Sequence, residues 1–298
     1  MVQFAIIVVC LFAGLLLQWS RLAGERTAKQ LNAYVITIAL PCLILHELPG
    51  LSLDHTAFLP IIIAWLVMAV SILAVLGLQK VFNWSRDITA CLMLLMPLGN
   101  TGFVGIPLIK VLLGTEGVPY AILYDQFGTF LALNTIGIAI AASYSGNGQS
   151  IGSIGKKIIT FPPFISLLVA FALLPFTYPS WLDAGLGLVA ASLVPVVMLA
   201  VGLNWRLQLE AHLLQPFMVG LVLLLIAKPA FAWLLLSMIT APGLATQVIV
   251  LEAGMPVMIS AGILAISYNL APRLAAALVG YSLLAAFITL PLWRWLVS

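Results

Sequence analysis

The chain has 298 residues, 63% of them hydrophobic and only 7% charged, with a mean hydropathy of +1.21. Soluble domains average about 45–50% apolar and about 25% charged residues, so this composition excludes a water-soluble globule and implies an integral membrane protein. The net formal charge of +3 is too small and too dispersed to suggest a nucleic-acid partner.

The apolar runs are too long for transmembrane β-strands of roughly ten alternating residues, so an α-helical bundle is predicted. The first run, Met1 to Trp19, lacks a basic leader and a small-x-small cleavage site; its cations follow it, at Arg21, Arg26 and Lys29. That arrangement predicts a retained first span rather than a signal peptide. A hydrocarbon core of about 30 Å needs about twenty apolar residues per helix. On that criterion spans are predicted at 3–20, 31–48, 57–79, 89–113 and 120–143. After the polar stretch SYSGNGQSIGSIGKK come 158–176, 185–203, 213–238, 246–267 and 274–296, ten in all. Cys10, Cys42 and Cys91 fall inside these runs without metal-ligand spacing and read as packing residues.

Basic residues test the count. Arg21, Arg26, Lys29, Lys80, Arg86, Lys156, Lys157, Arg206 and Arg273 all fall in the odd-numbered loops, and the four even-numbered loops hold no Lys or Arg. By the positive-inside rule the odd loops are cytoplasmic, and both termini are extracytoplasmic in a plasma (inner) membrane.

The halves are alike. ALPCLIL (39–45) matches LVPVVML (193–199), which sets Pro41 and Pro195 154 positions apart. FLPIII and LQPFMV set Pro60 and Pro216 156 apart, a nearly constant offset. The predicted organisation is a five-helix repeat at 1–143, a cytoplasmic linker at 144–157 and a second repeat at 158–298. An odd number of spans per repeat inverts the second copy, the plan of many secondary transporters.

Span 4 carries MPLGNTGFVGIP and span 9 carries VIVLEAGMPVMISAGILA, each with helix breakers about eleven residues deep. Irregular backbone at that depth is tolerated only where protein buries it or it lines a wet cavity. Breaks near Gly99–Gly102 and Gly254–Pro256 would aim two helix N-termini at a common point, which favours an anion, a carboxylate being the simplest. Asn100, Thr101 and Gly102 with Gly254, Met255 and Pro256 are the predicted substrate contacts. Asn100 can donate to an anion and accept from a free N–H at once. The plainer alternative for Gly99, Gly102 and Gly105 is a small-residue packing face.

NTGFVGIPL, the turn LLGTEG and the span that follows resemble the fourth helix of the auxin efflux carrier family, which includes bacterial malate-permease-like carriers and plant PIN-type exporters. The span 9 stretch with Pro256 ending in ISYN, and Leu290–Pro291, resemble that family's C-terminal end. The resemblance covers the whole chain. It implies an all-α membrane fold of ten helices in two inverted repeats, with crossed, broken helices 4 and 9, also found in bile-acid symporters and NhaA-type antiporters. It further implies transport of organic anions. Two departures, Gly99 where PIN-type carriers have a proline before the asparagine and the absence of a long central loop, place the chain beside the compact prokaryotic branch.

Ionisable residues within spans are costly and therefore candidates for function. Asp125 (span 5), Lys228 (span 8) and Glu252 (span 9) all fall in the outer half and are the ion-coupling candidates. Glu252 stands one helical turn before Pro256, where it could exchange a proton or coordinate Na⁺. Asp125 and Lys228 either join that site or form a structural pair, and Lys110 reads as a structural or snorkelling cation. Asn134 in span 5 and Ser260 one turn beyond Pro256 complete the predicted substrate contacts, with interhelical glue the plainer reading of Asn134.

No HExxH, paired aspartates or phosphate loop occurs, and His46, His55 and His212 stand near span ends, so an intramembrane enzyme is disfavoured. The reading is a secondary carrier of small organic anions by alternating access, with no cofactor, H⁺ or Na⁺ as coupling ion, and an anion channel or a non-carboxylate substrate as the alternative. The bundle of spans 1, 2, 6 and 7 would move against spans 3–5 and 8–10. The lipid bilayer surrounds it, and a homodimer is expected by analogy with related folds.

Overall fold

The computed structural model of the chain describes residues 2–20, 22–48, 58–145, 159–203, 210–239 and 243–298. Arg21, His55, Lys156, Lys157 and Arg206, and the predicted linker from residue 146 on, lie outside the described residues. Twelve helices, with short 3₁₀ turns, make up the regular structure among the described residues, joined by one isolated β-bridge. They are α1 (Val2–Trp19), α2 (Glu25–Tyr34 through Leu40–Glu47), α3 (Leu59–Phe82), α4 (Arg86–Leu95), α5 (Thr101–Gly105 with Ile106–Leu113) and α6 (Val118–Leu123 through Ile138–Ser145). Then follow α7 (Pro162–Leu173), α8 (Ser180–Ala191 and Leu193–Leu203), α9 (Leu214–Val222 through Lys228–Ile239), α10 (Leu244–Ala253), α11 (Ile259–Ser267) and α12 (Pro272–Leu296).

Among the described residues, six helical stretches are long and apolar enough to cross a bilayer: Arg26–Glu47, Leu59–Phe82, Thr115–Tyr144, Ser180–Ala200, Ala211–Ile239 and Pro272–Leu296. Large apolar side chains stand outward on them, among them Leu73, Leu188, Leu234 and Ile288. A soluble protein would bury such residues; here they face hydrocarbon. The chain is an all-helical, multi-pass membrane protein.

Local chemistry explains where the helices start and bend. Asn83 closes α3 in the left-handed conformation (φ 52°), and Ser85 caps α4 by accepting from the Ile88 N–H at 3.4 Å. Three helices widen into a π turn just before a proline. Val35–Ala39 precedes Pro41, Thr101–Gly105 precedes Pro107, and Leu223–Ala227 precedes Pro229. A proline lacks an N–H and crowds the carbonyl four residues back, and a wider turn relieves both problems. The second half of α8 starts at Leu193, after a turn at Ser192 whose hydroxyl lies 2.7 Å from that of Tyr34 in α2.

The helices pack as two groups. α1 lies along the second half of α8, and α2 packs on α7 and on both halves of α8. At Gly14 the α1 and α8 backbones approach so closely that a Cβ would strike the Leu199 carbonyl. The other helices enclose the interrupted pairs α4/α5 and α10/α11. Between the groups run an aromatic seam, with Phe130 stacked on Phe161 at 4.1 Å, and, among the described residues, one ion pair, Lys110 Nζ to Glu47 Oε1 at 2.7 Å. Glu47 is nearly buried while Lys110 is partly exposed. Lys110→Met is expected to lower stability by about 1–3 kcal/mol through the unpaired carboxylate. Adding Glu47→Gln should recover most of that loss, as read by thermal unfolding in detergent.

Candidate functional site

The two interruptions meet. Between α4 and α5 the chain is extended near Leu98–Asn100, and between α10 and α11 it is extended near Met255–Met258. These segments pass antiparallel with Gly99 opposite Val257. Asn100 N–H donates to the Pro256 carbonyl at 2.7 Å, and Met258 N–H donates to the Leu98 carbonyl at 3.0 Å. Ser282 of α12 accepts from the Val257 N–H at 3.0 Å. The backbone groups freed by the breakers are thus satisfied inside protein, as apolar surroundings demand.

Glycine fits closely where the strands cross. A Cβ at Gly99 would lie 3.3 Å from the Met255 Cβ and 3.4 Å from its carbonyl oxygen, and one at Gly254 would lie 3.3 Å from the Pro229 ring. The break in the first pair falls earlier than predicted: Thr101 already begins α5, so Gly102 is helical. The expectation of free backbone donors at the break also needs correction. The Asn100 N–H is taken by the Pro256 carbonyl, and the Met258 N–H by the Leu98 carbonyl.

Behind the crossing, α5, α6 and α10 pack together around two carboxylates. Asp125 is buried and richly bonded. Thr101 donates to its Oδ1 at 2.6 Å, the Gln126 amide to its Oδ2 at 2.6 Å, and Thr129 Oγ1 lies 3.3 Å from Oδ1. Among the described residues, Glu252, 1% exposed, has no hydrogen-bond partner on either carboxylate oxygen, and Gln126 Oε1 is likewise buried and unpartnered. Asp125 and Glu252 both lie against α5. They rest on Gly102 and Gly105, three residues apart and so on one face of α5.

The remaining predicted residues are placed as follows. Asn100 is 2% exposed, and its carbonyl accepts from the N–H groups of Val104 and Gly105. Thr101, Met255 and Pro256 are buried at the crossing, and Ser260 is half-buried in the first turn of α11. Asn134 donates to the Phe130 carbonyl of its own helix at 2.9 Å, an intrahelical bond rather than a reach toward the break. Lys228 does not pair with an acid among the described residues; its Nζ lies 3.4 Å from the Pro97 carbonyl, one of the groups that the break releases. Gln126, Thr129, Ser282 and Glu47 were missed in the sequence reading. Thr129 was findable, standing one turn after Asp125; Ser282 and Glu47 are brought in by tertiary packing from distant sequence. A narrow apolar cleft lies beside Pro97 and Leu98, bounded by Met68, Met93 and Ile136.

Comparison with known proteins agrees with this architecture. A family model described as "Membrane transport protein" matches residues 1–294. The chain is 28% identical over 296 residues to a protein of Methanothermobacter thermautotrophicus named "Uncharacterized transporter", covering 96% of this chain and 95% of that one. It is also 28% identical over 311 residues to "Uncharacterized transporter MJ1031" of Methanocaldococcus jannaschii, covering 100% and 99%. A match across nearly the whole length, on a chain whose apolar helices enclose two interrupted ones, means that this protein belongs to the membrane transport protein family, that of the auxin efflux carriers.

Proposed function

We propose that the protein is a secondary carrier of small organic anions, carboxylates of the malate-like or auxin-like kind, working by alternating access. In this reading the twelve helices form ten spans. α4 with α5, and α10 with α11, are broken fourth and ninth spans of two inverted repeats, residues 1–143 and 158–298. The cell membrane holds the protein with both termini outside, as a homodimer. The observation that carries the proposal is the antiparallel crossing of Leu98–Asn100 with Pro256–Met258, after which α5 starts at Thr101 and α11 at Ile259. Two helix N-termini that begin at one point add partial positive charge there, and first-turn N–H groups lack intrahelical partners. The division of the helices into two packed groups supports a rocking motion about that point.

Purified protein in liposomes tests the reading with labelled mono- and dicarboxylates under imposed pH and Na⁺ gradients. Saturable uptake of one acid is expected, reduced at least about tenfold by Asn100→Ala in folded protein, which corresponds to losing one hydrogen bond to a charged group. Undiminished uptake by that variant would remove the anion from the crossing. Linear, non-saturating flux would favour a channel.

A further inference from the structure

Where α2 and α5 finish and α6 begins, the two helix groups touch. Leu40–Glu47 of α2 packs on Val118–Leu123 of α6. Phe127 of α6 meets Phe164 and Phe171 of α7 with ring centroids 6.1 and 6.2 Å apart. Apolar contacts of this kind are non-directional and can part and re-form. The Lys110–Glu47 pair is the exception, and each partner is tied to its own group. His46, one residue before Glu47, has its Nδ1 2.8 Å from Asp183 Oδ1 of α8. A Cβ at Gly187 would lie 3.1 Å from the His46 ring, so the end of α2 lies close against α8. On the other side, Arg294 of α12 donates from Nε to the Leu112 carbonyl at 3.3 Å, two residues beyond Lys110. The three links join α8, α2, α5 and α12 in series. The middle one, Glu47 to Lys110, crosses between the groups.

We propose that Glu47 and Lys110 form a latch that holds this end of the seam closed, and that their separation lets the two helix groups part there. Lys110 stands in the last turn of α5, where the helix dipole favours a cation. Glu47 is the last residue of α2, where the dipole disfavours an anion. The Glu47 side chain is also the more buried, 9% exposed against 26% for Lys110. Glu47 is therefore the partner that depends on the pair. Parting the two without admitting water would leave a nearly buried carboxylate uncompensated, which costs more than the pair contributes. Once water enters, both charges are hydrated and the pair is worth little. The seam thus has two favourable arrangements, closed and dry or open and wet, and half-open ones are penalised. The latch as a gate for substrate rests on the carrier reading; the closed and open arrangements do not.

The test is a distance measurement between the groups, by pulsed electron–electron resonance on the full chain in liposomes. Spin labels are placed at Glu116→Cys and Trp181→Cys, with Cys10, Cys42 and Cys91 replaced by alanine. Both sites are exposed, one in the turn between α5 and α6 and the other in the first turn of α8. Glu47→Gln with Lys110→Met removes the latch without leaving an unpaired charge, so the protein stays folded. The population at the longer distance should rise about tenfold over the labelled parent's, the loss of one hydrogen bond between charged groups. Exchanging the charges, Glu47→Lys with Lys110→Glu, should return the parent's distribution. A pair that served stability alone would change the unfolding temperature and leave the distances unmoved. Distances in the uncharged double variant that match the parent's therefore overturn the inference, as does an exchanged pair that stays open. Carboxylate uptake by the labelled parent separates the two readings. Distances that shift in the double variant, with no acid taken up by the parent, remove the carrier and leave the latch. Uptake by the parent, with distances that do not respond to the double change, removes the latch and leaves the carrier.

Discussion

Gly105→Ala is expected to abolish transport while leaving the protein folded. A Cβ at that position would lie 2.7 Å from Glu252 Oε1 and 2.8 Å from its Cδ, closer than nonbonded atoms approach. The strain falls on the far end of a flexible side chain, so Glu252 can swing aside rather than force the backbone apart. Overpacking a core costs about 1–3 kcal/mol, and replacing a helical glycine with alanine returns about 0.8–1 kcal/mol. The net loss of stability is therefore small, while the carboxylate leaves its position against α5. Gly77→Ala is the control: nothing lies within 4 Å of a Cβ there, so uptake should be unchanged. Initial uptake rates and unfolding temperatures of both variants decide it. A Gly105→Ala protein that transports like the parent would show that Glu252 need not stand where it does.

The second large effect is expected at Asp125, and it is one of stability. Asp125→Ala removes the acceptor of the buried Gln126 amide. Thr101 would keep a partner, since its hydroxyl is 2.5 Å from that of Thr129. A buried donor left unsatisfied costs about 1–3 kcal/mol, so the loss should be about 1–3 kcal/mol, with a cavity penalty added. Asp125→Asn keeps the volume and one acceptor oxygen and should lose less. Gly102→Ala should behave more like Asp125→Ala than like Gly105→Ala. Its Cβ would lie 2.9 Å from both Asp125 oxygens, and that carboxylate is pinned by its donors and cannot swing away. Unfolding temperatures in detergent rank the four variants, and an Asp125→Ala protein as stable as the parent would refute this account.

What could be read from the chain follows the range of the forces involved. Helix ends and breaks are local matters of proline, glycine and apolar run length, and these were legible. The predicted span at 89–113 became α4 and α5, interrupted near Leu98–Asn100, and that at 246–267 became α10 and α11, interrupted near Met255–Met258. The π turns before Pro41, Pro107 and Pro229 also have local causes. Partner choice is different. Lys228 was expected beside an acid, but the break released the Pro97 carbonyl next to it, 131 positions away in sequence. Lys110 found Glu47, 63 positions away. No spacing rule reaches that far.

The sequence by itself determined the membrane class and where along the chain both helices are interrupted, because each depends on the solvent and on backbone chemistry within a few residues. Only the tertiary structure decided that Gly99 lies opposite Val257, that Asp125 is saturated with donors, and that Glu252 has none. Those outcomes depend on how distant helices close around a buried point where no water remains. There each polar group must be satisfied by whichever neighbour the packing brings, and at Glu252 the packing brings none.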